Sequence, residues 1–415
     1  MYCGSCFRDN ALARELLARR HEVTLIPVYT PTRTDEPNVS RPAVLFGGIS
    51  VYLQQHSPIF RWTPRFVDRL WDSPRVIGAF AGRGVSADAR LLGDLTISML
   101  QGEHGVLRKE FEKLVDWTRA EPPPDVINLP NSLLIALAEP LRQAIGCPVY
   151  VTLQGEELFI NGLSPHYRDR ALALIRAMVP HVDRFIAVSD YCARFMAGFL
   201  EIPAARISVV PLGIDMAGYE RRVADEQVFR VGYFARVAPE KGLHVLAQAY
   251  ARFRERTGRD VAATLDAAGY MAPSHRAYLE SVRQELDRTG VGGEFTYRGA
   301  VDRAGKLAFL RGLDVLSVPA TYDEPKGMFL LEAMASGVPV VQPRRGAFTE
   351  VVETTGGGCL VPPDDPVALA DALFALWKDR DHAARLGDRA FEGVRAHYTI
   401  AQSADRLLAA YSQTR

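Results

Sequence analysis

The chain has 415 residues, of which 48% are hydrophobic, and its 49 Lys and Arg residues are balanced by 49 Asp and Glu residues. This length exceeds what one hydrophobic core usually supports and predicts two domains, while the zero net charge argues against binding to nucleic acid through bulk charge. No apolar run is long enough for a transmembrane segment and nothing at the start is typical of a signal peptide. We therefore expect a cytoplasmic protein, for which a reversible peripheral contact with a membrane remains open.

The first thirty residues predict a glycine turn, a helix from about Asp9 to Arg20 and a strand from Glu22 to Tyr29. A doubly wound fold opens with a strand that leads into the glycine loop, whereas this chain begins at the loop. Two explanations are open: Met1 is an internal methionine of a longer protein, or the first strand is supplied in another way.

The five cysteines are an odd number in a long chain and do not predict a disulfide framework. Cys3 and Cys6 form a CGSC pair, which could serve redox chemistry or supply half of a zinc site. No second CxxC pair or cluster of His and Cys completes four ligands, so neither a metal nor a cofactor is predicted.

Residues 31–120 are less regular, and we expect them to form an elaborated cap over the first domain. Within them, an amphipathic helix is predicted between residues 95 and 120. The proline run that follows Glu121 ends this helix. Its apolar face would carry Leu107, Phe111, Leu114 and Val115.

From Asp125 onward strands and helices alternate, which predicts a parallel sheet with helices on both faces. Strands are expected in DVINLP, CPVYVTLQG, RFIAVSD and ISVVPLG, with a helix from Ser132 to Ile145 between the first two. Ligands of such sheets bind beyond the carboxyl ends of the strands. The residues at these ends are Asn131 and Ser132, Gln154 with Gly155 and Glu156, Ser189 with Asp190, and Gly213 with Asp215.

After a polar stretch from Met216 to Gln227 the alternation restarts and predicts a second sheet of about six strands. The closing segment AHYTIAQSADRLLAAY predicts a last helix that crosses back to the first domain. The expected division is an N-terminal domain over 1–215, a C-terminal domain over 216–395 and the closing helix over 396–415.

Two carboxylates lie eight positions apart in the second domain, at Glu324 and Glu332. The apolar residues between them predict a buried helix that starts near Gly327 and is capped at its end by Gly337. The free N–H groups at the start of this helix would offer a site for phosphate, and Glu332 could accept hydrogen bonds from paired hydroxyls such as those of a ribose. On spacing alone, an ordinary loop acid and an ordinary helix acid remain the alternative.

Arg236 and Lys241 follow the first strand of the second domain and precede a helix at about Leu243. Two cations beside a diphosphate would neutralise the charge that builds on a leaving group. Taken alone, these two cations would indicate only a solvated basic turn. They point to a binding site because they belong to the same predicted sheet as Glu324 and Glu332.

Other common catalytic signatures are absent from the sequence. There is no Walker A motif, no GxGxxG after a strand and no GxSxG, so phosphoryl transfer from ATP, nicotinamide chemistry and serine-hydrolase chemistry lack their signatures. Glu156 and Glu157 are adjacent acids after a strand, and since neighbouring strand residues face opposite sides, at most one would face a site.

The stretch from about residue 229 to about residue 365 carries ARVAPEKG, GLDVLSVPATYDEPKGMFLLEAMASGVPVVQPRRGAFTEVV and GCLVPPDDP in that order. In this combination the chain resembles the retaining nucleotide-sugar glycosyltransferases of the GT-B fold, in particular glycosyltransferase family 4. SVVPLGID and NALARELLARRHEVTLIPV also look like the family's first domain, and the short VLFGGISVYLQ is similar to a segment of starch and glycogen synthases. The resemblance implies an α/β protein with GT-B architecture, in which two Rossmann-like, doubly wound parallel-sheet domains face each other across a cleft, the first binding acceptor and the second donor.

The resemblance also implies roles for individual residues. Glu332 would hold the donor ribose, Arg236 and Lys241 the diphosphate, and Glu324 the donor sugar or its phosphate. The implied catalytic residues are Arg236, Lys241 and Glu324, and the implied donor-binding residues are Gly4, Ser5, Arg236, Lys241, Arg298, Gly327, Met328, Phe329 and Glu332. Candidates on the acceptor side are Gln154, Glu156, His104 and Asn131, with His166 as a further histidine.

Two departures from the family pattern matter. Pro325 and Lys326 stand where the family commonly has Gly-Phe, which leaves the sugar selectivity open. Gln154 stands where many members carry a histidine, and Gln cannot act as a base. Front-face attack assisted by the leaving phosphate, the mechanism favoured for retaining enzymes of this fold, does not need that base.

The predicted function is a metal-independent, retaining transfer of a sugar from a nucleotide diphosphate sugar to a hydroxyl of a glycan, lipid or small molecule. One alternative is an α-glucan synthase-like glucosyltransferase. Another is a catalytically silent GT-B protein that binds nucleotide sugar or a partner, which the absent first strand and Gln154 favour.

Overall fold

The computed structural model describes residues 4–28, 31–32, 34–42, 44–46, 51, 54–55, 89–222, 227–258 and 260–413. The chain divides into two compact units. The N-terminal unit is built on Ser5–Pro211 together with Ala404–Arg415, and the C-terminal unit is built on Leu212–Ser403.

The N-terminal unit contains a parallel sheet, as predicted, with its strands in the order β1-β2-β3-β4. One of its two inner strands, Val149–Leu153, is buried along its whole length, as expected where helices cover both faces. The strands are β1 (Ile127–Leu129), β2 (Val149–Leu153), β3 (Arg184–Ala187) and β4 (Ile207–Val209). The α-helices described before residue 212 are α1 (Gly4–Ala18), α2 (Ala89–Leu100), α3 (Arg108–Ala120), α4 (Ala138–Ile145), α5 (Glu157–Asn161), α6 (Pro165–Met178) and α7 (Asp190–Phe199).

The start of the chain differs from the sequence prediction. Gly4 and Ser5 form the first turn of α1 instead of a separate glycine turn. The predicted strand over residues 22–29 is wrong, because the described part of this segment pairs only through single bridges to residues 40 and 45. Pro27 lies between these bridges and has no N–H to donate to a neighbouring strand, so a continuous ladder is interrupted there.

The amphipathic helix predicted between residues 95 and 120 is broken in two, as α2 and α3. Gly102 adopts a φ of +57°, in the left-handed region, and opens a short 3₁₀ turn that ends at His104. The predicted apolar face is confirmed, since Leu107, Phe111, Leu114 and Val115 are all buried. The expected cap falls partly on residues 56–88, which lie outside the described residues.

The helix predicted from Ser132 to Ile145 begins as a 3₁₀ helix over Ser132–Leu137 and continues as α4. Asn131 caps its start, because its side-chain oxygen accepts a hydrogen bond from the Leu133 N–H at 3.1 Å.

The C-terminal unit contains the predicted six-stranded parallel sheet, in the order β10-β9-β8-β5-β6-β7. The strands are β5 (Val228–Phe234), β6 (Ala262–Ala268), β7 (Phe295–Tyr297), β8 (Val315–Leu316), β9 (Val340–Pro343) and β10 (Gly358–Val361). The α-helices are α8 (Leu243–Thr257), α9 (Arg276–Arg288), α10 (Arg303–Arg311), α11 (Met328–Ala335), α12 (Gly346–Thr355), α13 (Pro366–Lys378), α14 (Arg380–His397) and α15 (Ile400–Ser412).

The strand order of this sheet reverses between β5 and β8. Chain order runs outward from β5 to β6 and β7 on one side and from β8 to β9 and β10 on the other. A reversal of this kind leaves a crevice at the carboxyl ends of the two central strands, where ligands of doubly wound sheets bind.

The closing helix starts at Ile400, four residues after the predicted boundary, because α14 continues through His397. Its last turns belong to the N-terminal unit. There the Tyr411 hydroxyl accepts a hydrogen bond from Asn128 at 2.9 Å, and the Tyr150 hydroxyl donates to the Ala410 carbonyl at 3.1 Å.

Candidate functional site

The loops that follow β5 and β8 lie at the crevice of the C-terminal sheet and are joined to each other. The Thr321 N–H, in the loop after β8, donates to the Glu240 carbonyl in the loop after β5 at 3.0 Å. The Tyr233 hydroxyl, at the end of β5, donates to the Arg236 carbonyl at 3.0 Å. Burial raises the pKa of Tyr233 well above its ordinary value, so this hydroxyl remains a donor. The backbone of both loops is therefore fixed before any ligand arrives.

Lys241, Tyr322 and Glu324 form a buried polar cluster at this crevice, which we call the Lys241 cluster. The Lys241 ammonium lies 2.6 Å from the Tyr322 hydroxyl and forms an ion pair with the Glu324 carboxylate. The Tyr322 hydroxyl donates to the same carboxylate. Only 12% of the Lys241 side chain and 5% of the Glu324 side chain are exposed, so these charges are held in a poorly solvated place.

The pKa of Glu324 reflects two opposing effects. Burial alone would raise it, but the Lys241 charge and the hydrogen bonds from Lys241 and Tyr322 outweigh burial and hold the pKa below its usual range. The carboxylate is therefore ionised at neutral pH and acts only as an acceptor.

This lowered pKa makes a prediction about stability. A carboxyl whose pKa is lower in the folded state stabilises the fold above its ordinary pKa of about 4.3, and the contribution is lost as the pH falls through the lowered value. We expect Glu324→Gln to be less stable than the wild type by about 3 kcal/mol at pH 7, because it unpairs a buried lysine. The difference should narrow below pH 4, as urea unfolding at several pH values would measure.

The exposed pair of Glu353 with Arg344 supplies the control for that measurement. Glu353→Gln should change stability little at any pH, because exposed ion pairs contribute less than about 1 kcal/mol. A gap between wild type and Glu324→Gln that stays constant down to pH 3 would contradict the ionised, paired state of Glu324.

The backbone of Glu324 is held as firmly as its side chain. Its carbonyl accepts a hydrogen bond from the Ala347 N–H at 2.8 Å. A β-carbon at Gly346 would lie 2.4 Å from that carbonyl oxygen, so only glycine allows the two segments to approach this closely. Glu324 is thus positioned by the start of α12 as well as by Lys241.

Helix α11 begins at Met328, as predicted, with Gly327 before it at a φ of +76°. The Phe329 ring faces the Lys241 ammonium at 5.6 Å from its centroid, which adds a cation–π contact to the Lys241 cluster. The helix ends one residue earlier than expected: Ser336 is its C-cap, and Gly337, at a φ of +68°, follows it.

Glu332 lies one turn inside α11 and belongs to a second polar cluster. Its Oε1 accepts hydrogen bonds from the Lys306 ammonium at 2.7 Å and from the Tyr219 hydroxyl at 3.3 Å. The Glu332 side chain is 13% exposed and that of Lys306 is 7% exposed. We call these three residues the Glu332 cluster.

The two predicted arginines have acidic partners. Arg236 lies in the loop after β5 that also carries Lys241. It pairs with Glu240 at 2.5 Å, and its side chain is 36% exposed. Arg298 follows β7 and pairs with the buried Asp266 at 2.8 Å. The described contacts of Arg298 thus lead to Asp266 and not to the Lys241 or Glu332 clusters.

The acceptor-side candidates of the N-terminal unit meet at the carboxyl ends of β1 and β2. The Glu156 carboxylate accepts hydrogen bonds from the N–H groups of Ser132 at 3.0 Å and Gln154 at 2.8 Å. The Gln154 amide donates to the Pro130 carbonyl at 2.7 Å. Glu156 therefore holds two loops together, a structural role that the sequence did not indicate.

Other candidates in this unit differ from their predicted setting. Glu156 and Glu157 do not lie on a strand, because β2 ends at Leu153, and both are buried at the start of α5. His104 and His166 are exposed. Cys6 is a free cysteine within α1, and its predicted partner Cys3 lies outside the described residues.

Sequence reasoning missed Lys306, Tyr219 and Tyr322. Tyr322 stands two residues before Glu324, and its proximity was the only signal available. Lys306 and Tyr219 are 26 and 113 residues from Glu332, and nothing in their local sequence distinguishes them from surface residues.

Within the described residues, no group of three or more His, Cys, Asp and Glu side chains is placed to hold a metal ion. Among the helices of the same residues, none is both long and apolar enough to cross a membrane.

Comparison with protein families gives two matches, one in each unit. Residues 228–379 match the family described as Glycosyl transferases group 1, and residues 97–217 match Glycosyltransferase Family 4. The first match includes both the Lys241 and Glu324 positions.

Among individual proteins, the chain is 32% identical over 220 residues to D-inositol 3-phosphate glycosyltransferase of Corynebacterium efficiens, covering 50% of this chain and 51% of that protein. It is 29% identical over 245 residues to GDP-mannose-dependent alpha-(1-6)-phosphatidylinositol monomannoside mannosyltransferase of Mycobacterium tuberculosis, covering 55% of this chain and 61% of that protein. The matches thus span between half and two thirds of these relatives' lengths.

Solved structures show the same fold at low identity. Sucrose-phosphate synthase from Thermosynechococcus elongatus superposes with a TM-score of 0.69 at 20% identity, covering 97% of this chain and 91% of that one. Anabaena Alr3699/HepE in complex with UDP superposes with a TM-score of 0.66 at 18% identity, covering 94% of this chain and 100% of that one.

Proposed function

The chain belongs to glycosyltransferase family 4, and on that premise we propose that it transfers a sugar from a nucleotide diphosphate sugar to an acceptor hydroxyl. The observation that carries the proposal is the Lys241 cluster. A buried, oriented ammonium lies at the switch point of a doubly wound sheet, next to the start of α11. These are features that bind and stabilise an anionic leaving group.

Lys241 can bind a phosphate without giving up its described contacts. An ammonium group has three N–H donors, and the described hydrogen bonds of Lys241 go to Tyr322 and Glu324. The third N–H is available for a phosphate oxygen. Glu324 would then orient the ammonium, and no reorganisation would be needed when charge develops on the diphosphate.

Arg236 would supply the second positive charge on the same loop. Its guanidinium is partly exposed and pairs with Glu240 on the same loop, and it would turn toward a phosphate by exchanging this partner. With Arg236 and Lys241 on the leaving diphosphate, the charge that a metal ion neutralises in other transferases would be carried by side chains. We therefore propose a metal-independent reaction.

We propose that the anomeric configuration of the sugar is retained. In front-face attack the acceptor hydroxyl approaches on the side of the leaving phosphate, whose oxygen takes the hydroxyl proton. Such a reaction is compatible with Gln154, which has no basic atom, at the carboxyl end of β2.

The names of the relatives guide the choice of substrates. One relative is named for D-inositol 3-phosphate, and the other for GDP-mannose and a phosphatidylinositol monomannoside. We propose a phosphorylated or lipid-linked polyol as acceptor class. UDP-, GDP- and ADP-sugars, offered with inositol phosphate or phosphatidylinositol, form the first activity panel.

Glu332 provides the direct test of donor binding. If its carboxylate accepts hydrogen bonds from the ribose, Glu332→Gln should weaken binding of the preferred nucleoside diphosphate about tenfold, since hydrogen bonds to charged groups contribute about 1.5–3 kcal/mol. Titration calorimetry of wild type and variant would measure it. Glu353→Gln, which removes an exposed carboxylate on α12, is the matched control.

Equal affinities of Glu332→Gln and wild type for the nucleoside diphosphate would contradict the assignment of Glu332 to the ribose. Absence of sugar transfer throughout the activity panel, despite nucleotide binding, would overturn the enzymatic proposal.

A further inference from the structure

The Glu332 cluster is asymmetric. Both of its described hydrogen bonds, from Lys306 and Tyr219, end on Oε1 of Glu332. Among the residues that the structure describes, none hydrogen-bonds to the other oxygen, Oε2. A carboxylate that is anchored through one oxygen presents the second in a fixed direction, as the recognition of a pair of ligand hydroxyls requires.

The anchoring groups are themselves fixed by their surroundings. Lys306 lies in α10 with its side chain almost entirely buried, so the direction of its ammonium is set by packing. Tyr219 belongs to the segment that precedes β5. Arg303, in the first turn of α10, donates to the Ala217 carbonyl at 2.7 Å, and its guanidinium lies 5.7 Å from the centre of the Tyr219 ring.

The backbone beside Tyr219 is equally restrained. Gly218 has a φ of +82°, and a β-carbon there would lie 3.1 Å from a methyl group of Leu307 in α10. The segment 217–219 therefore lies closely against the helix that carries Lys306. Two elements distant in sequence from α11 thus converge on one oxygen of its Glu332, which a surface ion pair would not require.

We propose that Lys306 and Tyr219 are positioning residues that fix Oε1 of Glu332 so that Oε2 accepts a hydrogen bond from the ribose hydroxyls of the donor. The inference rests on the proposed function and extends it by two residues. Neither residue contacts the nucleotide; both act through Glu332. Their loss should therefore weaken recognition of the ribose hydroxyls and leave recognition of base and phosphates intact.

A pair of ligands that differ only in those hydroxyls tests the proposal. Calorimetry first identifies the tightest of UDP, GDP and ADP for the wild type, and then compares it with its 2′,3′-dideoxy analogue. The wild type should prefer the natural nucleotide about tenfold or more. In Lys306→Met the preference should fall to about twofold, through loss of affinity for the natural nucleotide alone.

Two further variants separate positioning from folding. Lys306→Arg retains a cation and should restore part of the preference. Tyr219→Phe removes one hydroxyl and keeps the ring against Arg303, so it tests the proposal even if Lys306→Met fails to fold; it should reduce the preference about threefold.

The outcomes are distinguishable. A wild type that binds none of the three nucleotides overturns the proposed function and this inference with it. If the wild type binds the natural nucleotide and its dideoxy analogue equally, the proposed roles of Glu332 and of its two partners are overturned. A wild-type preference that persists in Tyr219→Phe and in every folded Lys306 variant, or affinities for both ligands that fall together, overturns the positioning role while leaving the proposed function intact.

Discussion

Lys241→Met is expected to reduce kcat about 10²–10³-fold, because removing one preorganised group that stabilises charge in the transition state costs about this factor. The physical reason is its setting: a buried ammonium oriented by Glu324 and Tyr322 acts with little screening by water. The KM for the donor should rise less than kcat falls, since the leaving diphosphate carries more charge in the transition state than in the bound donor. Initial-rate kinetics with the preferred donor and acceptor would measure both.

The same substitution also has a structural cost that must be separated from catalysis. Without Lys241, Glu324 would be a buried carboxylate lacking its counter-charge, a situation that costs about 3–5 kcal/mol. The double variant Lys241→Met/Glu324→Gln removes both charges and should recover much of the lost stability. Because it lacks the ammonium, its kcat should remain low. Recovery of activity together with stability would show that the single variant had failed through folding.

Lys378→Met is the matched control, since it removes an exposed lysine at the end of α13. Its kcat should stay within about twofold of the wild type, as expected for a surface substitution. If Lys241→Met in its folded form also stayed within that range, the assignment of Lys241 to the leaving group would be wrong.

Much of the fold follows from the sequence because its signals are local. The alternation of short apolar runs with amphipathic segments identified both parallel sheets, and the C-terminal sheet has the six strands that the pattern indicated. The errors occurred where one residue overrides a pattern. Pro27 interrupts a run that reads as a strand, and Gly102 breaks a periodicity that reads as one helix.

The candidate site was predictable only in part, for a related reason. Glu324, Glu332 and Lys241 stand out because glycine turns and strand ends lie beside them in sequence. Their partners could not be predicted in this way. Lys306 reaches Glu332 through the packing of α10 against α11, and no feature of its local sequence indicates this contact. The structural use of Glu156 to join two loops likewise depends on strands that meet only in the folded sheet.

Gly242→Ala is expected to destabilise the C-terminal unit by about 3 kcal/mol or more. This cost has two sources: the strain of an alanine in the left-handed backbone region, and the overpacking that its β-carbon causes. Gly242 precedes α8 with a φ of +74°, and a β-carbon there would lie 1.8 Å from the Pro319 carbonyl oxygen. One of the two backbones must therefore move. The affected loop leads from Pro319 to Glu324, so the shift would also separate Glu324 from Lys241.

Gly356, which follows α12, isolates the steric part of this effect. Its φ of +63° and ψ of 16° lie in the same left-handed region as the φ of +74° and ψ of 23° of Gly242. A β-carbon at Gly356 would meet the Arg389 side chain at 3.6 Å, an ordinary contact distance. Gly356→Ala should therefore incur only the backbone strain, about 1 kcal/mol. Hydrogen exchange in β5 and β8 would compare the two variants within the same unit. Because the backbone conformation is matched, any excess cost at Gly242 measures the close approach of the two loops, and equal costs would mean that the crevice tolerates a looser fit than the Lys241 cluster requires.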